Sequence, residues 1–406
     1  MEIDIKELKD SNLFLNMLMQ NIDTAVFIAD ENLNIHQFND SFLTLFTQSD
    51  LASTLVDTTF GAASGCINAV KENLPCGKTS ACQFCIIRKS LVNTLETQKP
   101  DKKKFLARTF YIDGQPVKKY LEFTSRPITY KNKKMILVFV YDVTDIELSR
   151  IQLKEKQKQI DFDLEKAGEI QKHLLPRNLP DIPSIKAAWF FEPCLTVGGD
   201  IFHIYKEKDN HISAYMLDVC GHGVSAALIA VTVKQFLDQL HAQALEHGAP
   251  FSPEKIVNAL EDEFPFERFN CYFTIAYILL NIKTGEMIYS CAGHVPPLII
   301  GKNDRFKILD HHGTIIGLGQ DTPLKQYSSQ LNPGDKIVLY TDGLIDYFGE
   351  KGAVENKKNF YNSLKAMADQ PAKKIVSNIT AEQKKFQKTQ RADDDITLLV
   401  IEYLAD

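Results

Sequence analysis

No apolar run in this chain approaches the roughly 20 residues that a membrane-spanning helix needs. The longest, Ile136 to Tyr141 and Ala226 to Val233, fall far short. A charged-then-apolar leader is also missing from the start, so a soluble, cytoplasmic protein with no membrane partner is expected. Charge of one sign is not in excess: 46 Lys+Arg against 52 Asp+Glu leave a net charge of -6. That balance provides no global field for nucleic acid or anionic lipid and points to a protein or small-molecule partner. No kinase-type glycine loop for ATP is found. Cysteine is scarce and uneven. Cys66, Cys76, Cys82 and Cys85 cluster, whereas Cys194, Cys220, Cys271 and Cys291 are scattered among apolar residues, as reduced, buried small hydrophobes would be.

At 406 residues, 44% of them hydrophobic, the chain is long enough for two or three domains with real cores. Its pattern predicts an α+β protein in three zones. The first, residues 12–145, opens with an amphipathic helix (Leu13, Leu15, Leu18, Met19, Ile22) and a strand, Ala25 to Ala29. It closes with strand-like runs at Phe105 to Ile112, Lys118 to Ser125 and Lys134 to Tyr141. Asp113-Gly114 and Tyr130 to Lys133 separate them, so a small α/β domain ending in a three-stranded antiparallel meander is expected. The lysines at 102 to 104 and 131 to 134 fit a solvated sheet edge better than a binding patch.

The second zone, residues 146–178, lacks Gly and Pro up to about residue 175 except for Gly168, which predicts a long helix. Ile146, Leu153, Ile160, Ala167 and Leu174 recur every seven residues, whereas the other seam holds Arg150, Gln157 and Gln171. Such a helix suits a parallel coiled-coil dimer, or one packed on its own domains. Pro176, Pro180 and Pro183 stop it.

In the third zone, residues 179–406, strands are expected at Ile212 to Val219, Phe273 to Ile282, Met287 to Cys291, Lys336 to Tyr340 and Ile396 to Tyr403. Helices are expected at Val224 to Leu240, Pro253 to Asp262, Lys357 to Ala368 and Ala372 to Phe386. Four aspartates stand where strands or glycines end: Asp200 after Gly198-Gly199, Asp218 after an apolar strand, Asp342 before Gly343, and Asp394 before Asp395-Ile-Thr-Leu398. Two carboxylates about 4 Å apart repel by roughly 4 kcal/mol at an effective dielectric near 20, so a cluster of them calls for divalent cations. Oxygen-rich ligand sets of this kind suit hard ions such as Mg²⁺ or Mn²⁺. A single one of these residues could equally be a turn or cap aspartate.

Seven segments in order, Ala167 to Pro176, Val197 to Asp200, Asp218 to Gly223, Ala292 to Leu298, Gly313 to Leu318, Leu331 to Leu344 and Asp394 to Val400, resemble the SpoIIE/RsbU branch of bacterial metal-dependent (PPM, type 2C-like) protein phosphatases. The resemblance implies a β-sandwich flanked by helices, with two Mn²⁺ or Mg²⁺ at one edge. It implies that Asp218 bridges the ions, that Asp200 and the Val219 carbonyl serve one, and that Asp342 and Asp394 serve the other. Asp395 would then stand behind the ligands. It also implies hydrolysis of phosphoserine or phosphothreonine by direct attack of an activated water. The usual substrate in this branch is a phosphorylated anti-sigma-factor antagonist of the STAS type. Three positions depart from the family pattern: His203 replaces a second carboxylate, Cys220 a Ser or Thr, and Val295 a frequent Asn. His222, next to the Asp218 turn, is expected to shape that turn rather than act as an acid. A catalytically silent phosphatase-shaped scaffold is the alternative function. A diguanylate cyclase is excluded, because Ile201-Phe202 follows Gly198-Gly-Asp200 where that signature needs an acidic-aromatic pair.

The first zone resembles a PAS sensor domain in its opening helix and strand, in Asn39-Asp-Ser-Phe42 and in Tyr141-Asp-Val-Thr-Asp145. That implies sensing and homodimerisation through this domain and the following helix, without naming a ligand. The four clustered cysteines are separated by nine, five and two residues. Similar cysteine-bearing insertions occur in some bacterial PAS domains. The spacing allows a Zn²⁺ site, an iron–sulfur cluster, a reversible disulfide or unliganded thiols.

Overall fold

The computed structural model describes the chain except for residues 1–16, 47–54, 131, 177–181, 249, 312, 320–322, 347, 349–352, 388–391 and 406. Leu13 and Leu15 of the expected opening helix lie outside the described residues. The chain divides into two compact units, Met1–Lys158 and Gln159–Asp406. The division falls inside one helix, Thr144–Leu174, so the predicted linker is shared between the units and does not form a third body.

The first unit is built on strands β1 (Ala25–Ala29), β2 (Asn34–Phe38), β3 (Thr58–Thr59), β4 (Asp101–Ile112), β5 (Gln115–Tyr130) and β6 (Lys133–Asp142). They form one antiparallel sheet in the order β3-β2-β1-β6-β5-β4, which contains the expected meander. Asp113 and Gly114 both adopt positive φ between paired Ile112 and Gln115, the geometry that a two-residue hairpin matching strand twist requires. Strand β4 is a sheet edge. There Lys103 pairs with Glu122 and Lys104 with Asp101, so these lysines guard an edge. Helices Asp40–Phe46, Phe60–Ala63, Ile67–Glu72 and Ile86–Thr97 lie between β2 and β4. Phe27, Phe42, Phe46, Phe60 and Phe110 form an aromatic core with ring centroids 5.1–6.3 Å apart.

Asn39 is fully buried and serves as the knot of this unit. Its Oδ1 accepts from the Val26 and Phe42 amides, and its Nδ2 donates to the Met19, Ile22 and Thr24 carbonyls. Replacing it with Ala strands these backbone groups and should cost roughly 2–3 kcal/mol. The only tryptophan, Trp189, belongs to the second unit. Asn39→Ala should therefore lower the denaturation midpoint of first-unit amides followed by hydrogen exchange and leave the Trp189 fluorescence transition in place. Equal loss in both would contradict this account.

The second unit is a two-sheet sandwich. Strands β8 (Ile201–Lys206), β9 (His211–Val219), β10 (Phe273–Asn281), β11 (Glu286–Ala292) and β14 (Tyr327–Gln330) form one sheet, ordered β14-β11-β10-β9-β8. Strands β7 (Ile185–Glu192), β12 (Leu298–Ile300), β13 (Phe306–Ile308), β15 (Lys336–Tyr340) and β16 (Ile396–Tyr403) form the other, ordered β13-β12-β15-β16-β7. Strict alternation assigns the faces. Ile337, Leu339, Leu399 and Ile401 join the core shared with Leu217 and Ile275, while Val338, Tyr340, Leu398 and Val400 pack on Phe360, Leu364, Ile375 and Ile379 of the helices outside. Helices Val224–His247 and Pro253–Glu263 cover the first sheet with Ala230, Val233, Leu237, Ile256 and Leu260. The predicted helices and buried strands occur with ends shifted by a few residues. Strands β7, β8, β12, β13 and β14 were not anticipated.

Candidate metal and active site

Four chain segments far apart in sequence meet at one edge of the sandwich. Asp200 directly precedes β8 and is buried, Asp218 lies one residue from the end of β9, Asp342 begins a short helix directly after β15, and Asp394 precedes β16. All four sequence-predicted carboxylates are thus brought into one electrostatic neighbourhood. Burial, followed by the charges of Asp342, Asp394 and Asp395, pushes the Asp218 carboxyl up to about 7. Burial, followed by Asp218 and Asp395, raises Asp200 well above the usual carboxylate range. Asp394 is raised by burial and by Asp342 and Asp395. The charges that act most on Asp218 are all negative, which is the condition that an added cation relieves.

The protein meets part of this cost with its own donors. Asp200 Oδ2 accepts from the hydroxyls of Thr341, at 2.8 Å, and Thr397, and the side-chain interaction with Asp200 partly offsets the rise of Asp218. Asp342 Oδ1 accepts from the Gly343 amide at 3.0 Å, and Asp394 Oδ1 from the Asp395 amide at 2.8 Å. In this arrangement no group of three or more His, Cys, Asp or Glu among the described residues is disposed to hold an ion. A cation arriving here would compete with protons for these raised carboxyls.

Asp395 plays a different part. Its Oδ1 accepts from the Cys194 amide at 2.8 Å, and its Oδ2 from the amides of Gly199, at 2.6 Å, and Asp200, at 3.3 Å. The carboxylate is 3% exposed and spends both oxygens holding the turn that carries Asp200. Gly198 is obligatory in that turn, because a Cβ there would lie 2.2 Å from Asp395 Oδ2. The Val219 carbonyl, the main-chain oxygen named from sequence, lies 2.8 Å from where a side chain would begin at Gly199, beside the same turn.

Several contributors were not anticipated. Asp346, one helical turn after Asp342, is raised by burial and by the charges of Asp342 and Asp393, and its i, i+4 spacing was the available signal. Thr341 and Thr397 are legible only once Asp200 is known to fold against them. Gln171, read as a helix-seam residue, instead grips Gly198 from both sides: its Nε2 donates to the carbonyl at 2.6 Å and its Oε1 accepts from the amide at 3.0 Å. Of the residues departing from the family pattern, His203 stacks on Tyr205 at 4.3 Å, bonds the Ile204 carbonyl and is pushed down to about 4 by burial. Cys220 and His222 are exposed, and Val295 packs on the outer core.

Residues 208–404 match the family described as Stage II sporulation protein E (SpoIIE). The second unit contains a SpoIIE-type PPM phosphatase domain. The chain is 28% identical over 250 residues to Phosphoserine phosphatase RsbU of Bacillus subtilis, spanning 61% of this chain and 72% of that protein. It is 24% identical over 244 residues to Phosphoserine phosphatase RsbP of the same organism, spanning 59% of this chain and 57% of the relative. Among solved structures, the SiaA-PP2C domain of Pseudomonas aeruginosa superposes with a TM-score of 0.52 at 22% identity, covering 61% of this chain and 98% of that one. That likeness speaks for the fold of the SpoIIE-type domain. Among the described residues no helix is long and apolar enough to cross a membrane.

The raised carboxyls fix a pH dependence for the cation-free SpoIIE-type domain. Between the unfolded carboxyl value near 4 and the folded value of about 7 for Asp218, the native state holds more protons than the unfolded state, so stability falls as pH rises through that window. In the presence of chelator, the Trp189-detected melting temperature should drop from about pH 5 to about pH 8, and Asp218→Asn should flatten that drop. A wild-type profile that rises over this range would contradict it.

Proposed function

We propose that the protein is a Mn²⁺- or Mg²⁺-dependent serine/threonine protein phosphatase whose first unit is a PAS sensor controlling the second. The reading rests chiefly on the convergence of Asp200, Asp342 and Asp394 on Asp218: Asp200 is buried, Asp218 and Asp394 are partly so, and the negative charges around them raise all three carboxyls. The donor set fits hard divalent ions: carboxylates and a main-chain carbonyl, with no nitrogen or sulfur among them. Asp218 would serve both ions, Asp200 and the Val219 carbonyl one, and Asp342 and Asp394 the other. When bound, such ions neutralise phosphoryl oxygens and acidify water. The chain's own part is to bind and orient. Asp395 and Gln171 fix the Asp200 turn, Thr341 and Thr397 orient its carboxylate, and the buried β9 carries Asp218 to the edge.

Similarity to proteins named phosphoserine phosphatases supports phosphoserine as the substrate group, and we infer a phosphorylated STAS-type anti-sigma-factor antagonist in a partner-switching pathway as its carrier. With Mn²⁺, purified protein should release phosphate from such a phosphoprotein. Asp218→Asn and Asp342→Asn should each lower turnover by at least about a hundredfold, as loss of electrostatic stabilisation at a reacting phosphoryl group does. Full activity in both variants would exclude this site.

Control by the first unit is proposed to act through helix Thr144–Leu174. Ile146, Leu153 and Ile160 on its seven-residue stripe are 70%, 73% and 52% exposed, a surface suited to a second copy of the helix in a homodimer. At its other end, Gln171 is bonded to the glycine two residues before Asp200, so a turn or shift of the helix moves the site's most constrained loop. The sheet order of the first unit and the Asn39 knot support the PAS assignment. Gln171→Leu should lower turnover about tenfold or more with the protein still folded, since an angstrom-scale shift of a positioned group has that cost. Unchanged activity would remove the clamp from the account.

A further inference from the structure

The four clustered cysteines share one small cavity in the first unit. Cys66 caps helix Ile67–Glu72 and bridges to Phe110 of β4, Cys85 caps helix Ile86–Thr97, Cys82 opens the turn between them, and Cys76 lies in a turn at Pro75–Gly77. All four are free, and all four line a cavity of about 30 Å³ together with Arg88 and Arg108. Cys76 Sγ presses on Gly61, at 2.6 Å from where a Cβ would sit.

Two features mark this as a sulfur cluster faced by donors and positive charge. Arg108 Nη1 points at Cys85 Sγ, 3.4 Å away, and Cys66 Sγ, 3.6 Å away, both on buried residues. The half-buried guanidinium thus sets positive charge directly against two buried sulfurs. On the other side, Cys82 Sγ accepts from the Gly77 amide at 3.0 Å and contacts the Thr79 hydroxyl at 2.9 Å. Gly77 stands at φ +100 with Arg88 stacked under it, a turn no other residue makes without strain. Such donors to sulfur orient a ligating thiolate.

We propose that Cys66, Cys76, Cys82 and Cys85 together hold one thiophilic divalent ion of the zinc class, closing the loop between residues 66 and 85. The sulfurs as they stand are not gathered on one centre. Arg108 occupies the position of positive charge between two of them, and its long side chain can withdraw. Size selects among occupants. A cavity of about 30 Å³ has room for one or two water-sized bodies, which suits a single ion with sulfurs at about 2.3 Å and not a multi-iron cluster. Charge agrees as well. Four thiolates around a divalent cation leave two negative charges, and two guanidiniums line the cavity. Burial of Cys66 and Cys85 also sets the group apart from the exposed thiols of redox switches.

The test is elemental analysis of the full chain purified without oxygen or chelator, in a phosphine reductant. About one equivalent of zinc should be found and released by a mercurial thiol reagent, and replacement by Co²⁺ should give thiolate-to-cobalt absorption. Asp218→Asn and Cys271→Ser should keep that ion, while Cys66→Ser and Cys82→Ser should lose most of it, which separates this site from the carboxylate edge of the second unit. Trp189 fluorescence reports that the second unit of each variant is folded. Less than a tenth of an equivalent of zinc with no cobalt–thiolate band, iron with inorganic sulfide in its place, or a disulfide under these conditions would each overturn the proposal. If a cysteine variant does not fold, wild-type stoichiometry and the cobalt spectrum still decide.

Discussion

One carboxylate holds the second unit's edge together. Asp395 accepts main-chain hydrogen bonds from Cys194, Gly199 and Asp200, joining chain segments about two hundred residues apart. Charge-assisted bonds of this kind are the strong ones, and here they are out of water, where an unmet partner is expensive. The turn they fix places Asp200 against Thr341, Thr397 and Asp218. With that turn released, the aspartates would be separate loop residues. Held, they form a concentration of negative charge that folding alone does not neutralise.

This arrangement divides labour between neighbouring acids. Asp394 and Asp395 are adjacent, yet Asp395 is saturated by backbone donors while Asp394 takes one amide and otherwise feels only other acids. Asp200 stands between the two cases, satisfied by hydroxyls but still strongly raised. The same turn is gripped by Gln171 from the helix that begins in the first unit. Helix Thr144–Leu174 and the site thus share one glycine, Gly198, as a point of contact.

Much of this was legible in sequence because strand period and turn chemistry are local. Lys336 to Tyr340 and Ile396 to Tyr403 alternate cleanly between two apolar faces, and Asp113-Gly114 fits only a tight hairpin. The four aspartates were found because each stands beside an apolar run or a glycine. What stayed hidden depends on tertiary approach. Strand β7, Ile185–Glu192, shows no alternation because from Ala187 onward its residues are all partly covered. Gln171 looked like a polar break in a heptad seam, since nothing local tells that Gly198 folds beneath it. Asp346 was not singled out, its closeness to Asp393 being set by the fold. For the cysteines, spacing suggested a site, but Arg108, which narrows its chemistry, comes from a strand over twenty residues away.

The central claim is that protons now held at the carboxylate edge give way to divalent cations. Calorimetric titration of Mn²⁺ into chelator-stripped protein near pH 6.5, repeated in buffers of different ionisation enthalpy, measures that exchange directly. With Asp218 raised to about 7 and Asp200 above its usual range, binding should release protons to the buffer, and Asp218→Asn should abolish both the binding and the release. Binding without proton release, or undiminished binding in Asp218→Asn, would contradict the account.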